Sequence, residues 1–229
     1  MTTQKIDIIP AGITYSFNCY KTEAKPVEEI YRILKTDDLS ADLEKLKPGF
    51  FKIDKYQGAI SSSFAFPYKE DIEILREGSV RKLEVPRLET IRLIAMPGYL
   101  LLSGRSVPAK CALQVFSQYI SIAGGAVKIT QEKMLNLTEM AAVINTVQFR
   151  NIPHSEIEKV TLSGELEEIF ALTLPLREAE IGGFAGIFNT PFGIRSLKFS
   201  TNGRVQIVKS KKLAISLELL EWVVNAVAG

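Results

Sequence analysis

Ile194-Arg195-Ser196-Leu197-Lys198-Phe199-Ser200-Thr201-Asn202-Gly203-Arg204-Val205-Gln206-Ile207-Val208 reads as two strands joined by a tight turn. Its register follows from which residues can share a face. A two-residue Asn202-Gly203 loop sets Phe199 opposite Gln206 and mixes polar with apolar on both faces. A three-residue loop, with Gly203 in the left-handed region, sets Phe199 opposite Val205 and Leu197 opposite Ile207. One face is then apolar. The other carries Ser196, Lys198, Ser200, Arg204, Gln206 and Val208. The spacing therefore predicts the three-residue loop, followed by a closing helix with Leu213, Leu217, Leu220, Val224 and Val227 on one stripe.

Thr90 to Met96 and Tyr99 to Gly104 form a second hairpin of this kind, turned by Pro97-Gly98. A helix follows, capped by Ser106, with Ala109, Ala112, Leu113, Phe116, Tyr119 and Ile120 at three- and four-residue spacing, and Gly124-Gly125 ends it. Upstream, Val27-Glu28-Glu29-Ile30-Tyr31 is echoed by Leu166-Glu167-Glu168-Ile169-Phe170. Each short helix follows an extended stretch, Ile13 to Tyr20 and Val147 to Leu162. Each precedes a glycine with apolar residues after it, at Gly49-Phe50-Phe51 and Gly186-Ile187-Phe188. Both halves thus read strand, short helix, strands, hairpin, long helix, which is the pattern of a duplicated unit. Residues 1–125 make the first repeat, with an insertion at about 55–87 that has no counterpart in the second. Residues 126–229 make the second, led by a helical connector over 126–145 with Met134, Leu137, Met140, Ala141 and Ile144 as its stripe.

Composition narrows the function classes. With 46% hydrophobic and 24% charged residues among 229, the chain has the makeup of a folded domain rather than a disordered or disulfide-stapled one. Twenty-eight basic against 26 acidic side chains leave a net charge of +2, too little for a polyanion coat but compatible with a local basic surface. No run approaches the ~20 apolar residues that span a bilayer. The opening Met1 to Asp7 lacks a signal-peptide apolar run, which predicts an intracellular chain without a membrane partner. The two cysteines, Cys19 and Cys111, are far apart and read as reduced buried thiols.

Catalytic chemistry has little to stand on. The single histidine, His154, follows Ile152-Pro153 and reads as a loop residue; it forms no triad or zinc-ligand spacing. Ile181-Gly182-Gly183-Phe184-Ala185-Gly186 matches no phosphate-loop pattern and reads as a turn entering a strand. Glu28-Glu29 and Glu167-Glu168 read as solvated helix faces. No enzyme, metal or cofactor is expected.

The order of elements resembles the TATA-box-binding protein family. Asn151-Ile152 is similar to the pair that opens a repeat there, and Glu165 to Leu172 to its first short helix. Phe184-Ala185-Gly186-Ile187-Phe188 resembles its Phe-Pro-Gly-Leu-Val-Tyr strand, and Gly98 to Gly104 its Ser-Gly-Lys hairpin, with Asn202-Gly203-Arg204-Val205 a looser copy. The resemblance implies an α+β fold: two pseudo-symmetric repeats forming a curved antiparallel sheet, a saddle with helices on the convex face. It also implies a concave face for double-stranded DNA, with phenylalanine wedges that kink the duplex. This chain departs from the family at three wedges, where Ser200, Ala95 and the neighbourhood of Lys47 stand, and Gly12 replaces an asparagine. Phe184 is the remaining wedge-type residue, so weak or no kinking is expected. The nucleic-acid contacts implied are Asn151, Phe184, Lys198, Arg204, Gln206 and Ser103, in a role such as a divergent transcription factor. The alternative is a protein-interaction module, for example toward the transcription machinery, through Leu93, Tyr99 and Leu101 on a shared surface.

Overall fold

The computed structural model describes residues 7–76, 79–152, 156–166 and 178–229. The chain is α+β, with antiparallel sheets and four helices among the described residues. It divides into two compact units, Lys21–Ala123 and Met1–Tyr20 with Gly124–Gly229. The N-terminal strand is therefore part of the same unit as the C-terminal half of the chain. His154, and the short helix expected from Leu166 to Phe170 beyond its first residue, lie outside the described residues.

In the unit Met1–Tyr20 with Gly124–Gly229, a two-stranded pair joins β1 (Asp7–Ile9) to β12 (Ile215–Ser216). The larger sheet uses β2 (Tyr15–Lys21), β7 (Ala141–Arg150), β8 (Lys159–Leu166), β9 (Glu180–Thr190), β10 (Gly193–Ser200) and β11 (Arg204–Ile207), in the order β2-β11-β10-β9-β7-β8. The β10–β11 register is the expected one: Leu197 faces Ile207, Lys198 faces Gln206 and Phe199 faces Val205. Gly203 has φ +83°, and a Cβ there would lie 1.8 Å from the Val127 carbonyl oxygen, so both conformation and space require glycine.

Alternation along these strands separates a core face from an open one. Phe184, Phe188, Leu197, Phe199, Val205 and Ile207 are all 2% exposed or less. Phe184 and Phe199 stack at 5.4 Å between ring centroids, and Phe188 meets Phe199 edge-on at 5.6 Å. The helix α4 (Leu217–Ala228) brings Trp222 edge-on to Phe188. Ser216 caps it by accepting a hydrogen bond from the Leu219 amide, so Leu213 precedes the helix rather than joining its stripe.

The connector is shorter than its pattern predicts. Thr130 caps α3 (Gln131–Glu139), and Met134 and Leu137 are buried, but Ala141 and Ile144 belong to β7. A run with β-branched Val143, Ile144, Thr146 and Val147 favours a strand, and that preference wins once partners lie on both sides. The glycine cluster also differs from expectation: Gly182, Gly183 and Gly186 sit inside β9, not in a turn. At Gly182 an added Cβ would meet the Arg150 side chain at 2.7–2.9 Å, so this position makes room for a neighbouring strand's cation.

In the unit Lys21–Ala123, α1 (Val27–Leu34) precedes β3 (Gly49–Tyr56), β4 (Ala59–Arg76), β5 (Ser79–Met96) and β6 (Tyr99–Ser103), an antiparallel meander followed by α2 (Ser106–Phe116). Val27, Ile30 and Leu34 bury one side of α1, while Glu28 and Glu29 stay at the surface beside Lys55 and Lys25. The cap of α2 is Arg105, one residue before the serine expected there, and the helix stops at Phe116 rather than near Ile120. Phe116 and Phe64 both meet Phe50 edge-on, at 6.2 and 4.9 Å. Gly98 turns the β5–β6 hairpin at φ +81°. The insertion becomes the distal part of β4 and β5: β3 pairs with β4 only as far as Ala65, while β4 and β5 stay paired out to Arg76 and Ser79.

Candidate nucleic-acid interface

The open face of the six-stranded sheet is built by strand parity. Across its strands, Ser16, Gln206, Lys198, Ala185, Thr146 and Ser163 lie directly opposite one another, one per strand. At about 4.8 Å per strand this row runs roughly 24 Å. Beside it stand Asn18 opposite Arg204, and Ser200, Gly183, Gln148 and Thr161 in succession. At the β7 end Arg150 faces Lys159 on one side and Glu180 on the other.

Lys198, Arg204, Arg150 and Lys159 are exposed, and none forms an ion pair within 4.0 Å among the described residues. Their geometry is set by neutral groups. The Arg204 Nε donates to Ser16 Oγ at 2.8 Å, and Arg150 Nη2 donates to Gln148 Oε1 at 3.2 Å. The arginines are thereby oriented by an amide and a hydroxyl; Glu180, across the strand from Arg150, accepts from Asn151 and makes no ion pair within 4.0 Å with it. Tyr20 follows Asn18 on the same parity; burial pushes its hydroxyl pKa up, so it remains a neutral donor. A surface of this kind attracts anions and presents donors to oxygen atoms.

The structure brings Lys198, Arg204 and Gln206 together, as the strand parity predicts. Asn151 lies at the far end of β7, exposed and in the left-handed region at φ +50°, and donates from Nδ2 to Glu180 Oε2 at 2.8 Å. Ser103 belongs to the other unit. Its hydroxyl accepts from the Arg92 amide and donates to the Arg92 carbonyl, which makes it a strand-edge tie. Phe184 requires a correction: at 2% exposure and stacked on Phe199 it is a core residue, because its parity matches Phe188 and not Ala185.

The protein-partner surface is corrected too. Leu93 pairs with Leu102 and Leu101 with Ile94, so the pleat sends Leu93 and Leu101 to opposite faces, and both are fully buried. Tyr99 is half-buried.

The sequence reading missed Ser16, Asn18, Thr146, Gln148, Arg150, Lys159 and Thr161. For the last five the signal was the alternation Thr146, Gln148, Arg150 and Lys159, Thr161, Ser163, hidden because Val147 to Leu162 reads as one extended stretch, where the structure has two paired strands. Among the described residues no group of three or more His, Cys, Asp or Glu could hold a metal ion, and no helix is long and apolar enough to cross a membrane. Cys19 is buried and Cys111 half-buried. No protein-family model matches the chain, and no curated protein matches it.

Proposed function

We propose that this chain binds double-stranded DNA along the open face of its six-stranded sheet, as a divergent relative of the TATA-box-binding protein family with a saddle of two repeats. Its role is that of a transcription or regulatory factor. The observation that carries the reading is the set of four exposed cations that form no ion pair within 4.0 Å among the described residues, set among Ser, Thr, Asn and Gln side chains in cross-strand register, with Glu180 opposite Arg150. Phosphate oxygens satisfy such groups directly, with little sequence preference. Kinking is weak or absent, since Phe184 is in the core and the face offers Ser200 and Ala185 where an apolar wedge would be needed.

Titration of a duplex at several salt concentrations tests this. Neutralisation of up to four phosphates gives a log–log slope near −3.5, about a 100-fold loss between roughly 50 and 200 mM salt. Lys198→Glu combined with Arg204→Glu lowers affinity by roughly 100-fold and makes the slope about two units shallower, with unfolding unchanged because both side chains are exposed. Binding that is absent, or insensitive to salt, sinks the reading.

A protein partner is the second reading. With Leu93 and Leu101 buried, the observation that favours it is the exposed distal part of β4 and β5.

A further inference from the structure

Between Glu180 and Glu218 the chain holds no carboxylate side chain but six basic ones, Arg195, Lys198, Arg204, Lys209, Lys211 and Lys212. The whole chain carries only +2, so the remainder is net acidic and positive charge is concentrated in this stretch. The sheet face uses Lys198 and Arg204; the three lysines of the loop 208–213 have no role there. That loop is pinned at nearly every residue. The Val208 amide donates to the Ser196 carbonyl at 2.9 Å, and the Gly12 amide to the Ser210 carbonyl at 2.7 Å. The Lys209 amide donates to Thr14 Oγ1 at 3.0 Å, and Ser210 Oγ accepts from the Lys212 and Leu213 amides. From the core side Arg195, 2% exposed, donates through its two Nη atoms to the Leu213 and Ala214 carbonyls at 3.1 and 2.6 Å. Asp7 of β1 is the carboxylate that acts on Arg195, from beyond 4.0 Å.

Lys209, Lys211 and Lys212 are exposed, and none forms an ion pair within 4.0 Å among the described residues. They stand at the end of β10 and β11 remote from the Asn202-Gly203 turn. Arg204 to Lys209 is a run of about 17 Å along the strand. Arg150 and Lys159 lie on β7 and β8, on the far side of β9, which has no basic residue. Cations therefore flank the β9 strip on both sides, and the β10–β11 flank continues past the strand ends onto the lysines. We propose that the loop 208–213 is a second phosphate-contact element of the same site, taking one backbone of a duplex that lies along the strands and overhangs their ends. This rests on the nucleic-acid reading above and adds to it an orientation and a minimum length. Leu213 and Ala214 are held to the core side by Arg195, so the loop rounds the strand end instead of lying on the open face. A duplex no longer than β10, about 26 Å or roughly 8 base pairs, falls short of it.

Salt titrations of the full chain with two duplexes, of about 8 and about 20 base pairs, test this; the short one is closed by a hairpin loop to keep it paired. The short duplex should give a log–log slope of about −3.5, and the long one, with up to three more phosphates engaged, about −6. Lys209→Gln with Lys211→Gln and Lys212→Gln should bring the long-duplex slope back by about three units and leave the short-duplex slope unchanged. If that variant does not fold, Lys211→Gln with Lys212→Gln should make the long-duplex slope shallower by about two. Lys110→Gln with Lys128→Gln, which removes two exposed cations elsewhere, should keep both wild-type slopes. Equal wild-type slopes for the two lengths, or loop variants that keep the wild-type slopes, overturn this inference and leave the sheet-face reading standing. Absence of binding to either duplex removes both.

Discussion

The β5–β6 and β10–β11 hairpins are both turned by a positive-φ glycine, yet they present different surfaces. Along β5 and β6, Leu93, Ala95, Leu100 and Leu102 on one side and Ile94, Met96 and Leu101 on the other are all 3% exposed or less. Along β10 and β11 Arg195, Leu197, Phe199, Val205 and Ile207 are buried on one side, while Lys198 and Arg204 are exposed on the other. A strand pair buried on both sides has only packing to contribute. One buried on a single side can carry charge on the other at little cost in stability, and the open face of the six-stranded sheet has that property.

Substitutions can break this contrast. The largest effect belongs to Leu101→Ala, which should cost about 4 kcal/mol in chemical denaturation as a fully buried side chain on the face opposite Leu93. A cost below about 1 kcal/mol would mean that both sides of the first hairpin are not packed. Next come the turn glycines. Gly98 has nothing within 4 Å of an added Cβ, so Gly98→Ala should cost about 1 kcal/mol for its positive φ alone. Gly203→Ala adds a clash with the Val127 carbonyl and should cost about 3 kcal/mol; equal losses for the two would show that φ alone matters. The smallest effect on stability is that of Lys198→Ala, within about 0.5 kcal/mol. The same variant should reduce duplex affinity severalfold at low salt and make the salt slope shallower by about one. A change in stability without one in affinity would make Lys198 a structural residue.

Much of the open face is legible in the sequence. Alternation from Ser196 to Val208, with a loop length that keeps Phe199 beside Val205, fixed which side chains point outward. The partners Ser16 and Asn18 were not legible. They come from the chain's first twenty residues, and nothing local says that β2 pairs with β11, more than 180 residues away. Phe184 misled for a related reason. Its strand contains three glycines and a register shift against β7 between Gln148 and Phe149, so counting parity from a motif put it on the wrong face. In the first hairpin, Leu93 and Leu101 both look like surface candidates from periodicity, and the register with Ile94 and Leu102 alone separates them.

By itself, the amino-acid sequence determined the two glycine turns, the one-sided character of the β10–β11 hairpin and the amphipathic short helix at Val27 to Leu34, because each depends on neighbours within a few residues. Tertiary structure decided that Ala141 to Arg150 is a strand, that β2 completes the sheet carrying Lys198 and Arg204, and that the inserted segment is a paired ribbon. Those outcomes depend on which distant backbones supply hydrogen-bond partners, and residues with similar local preferences follow the partner that the packed core provides.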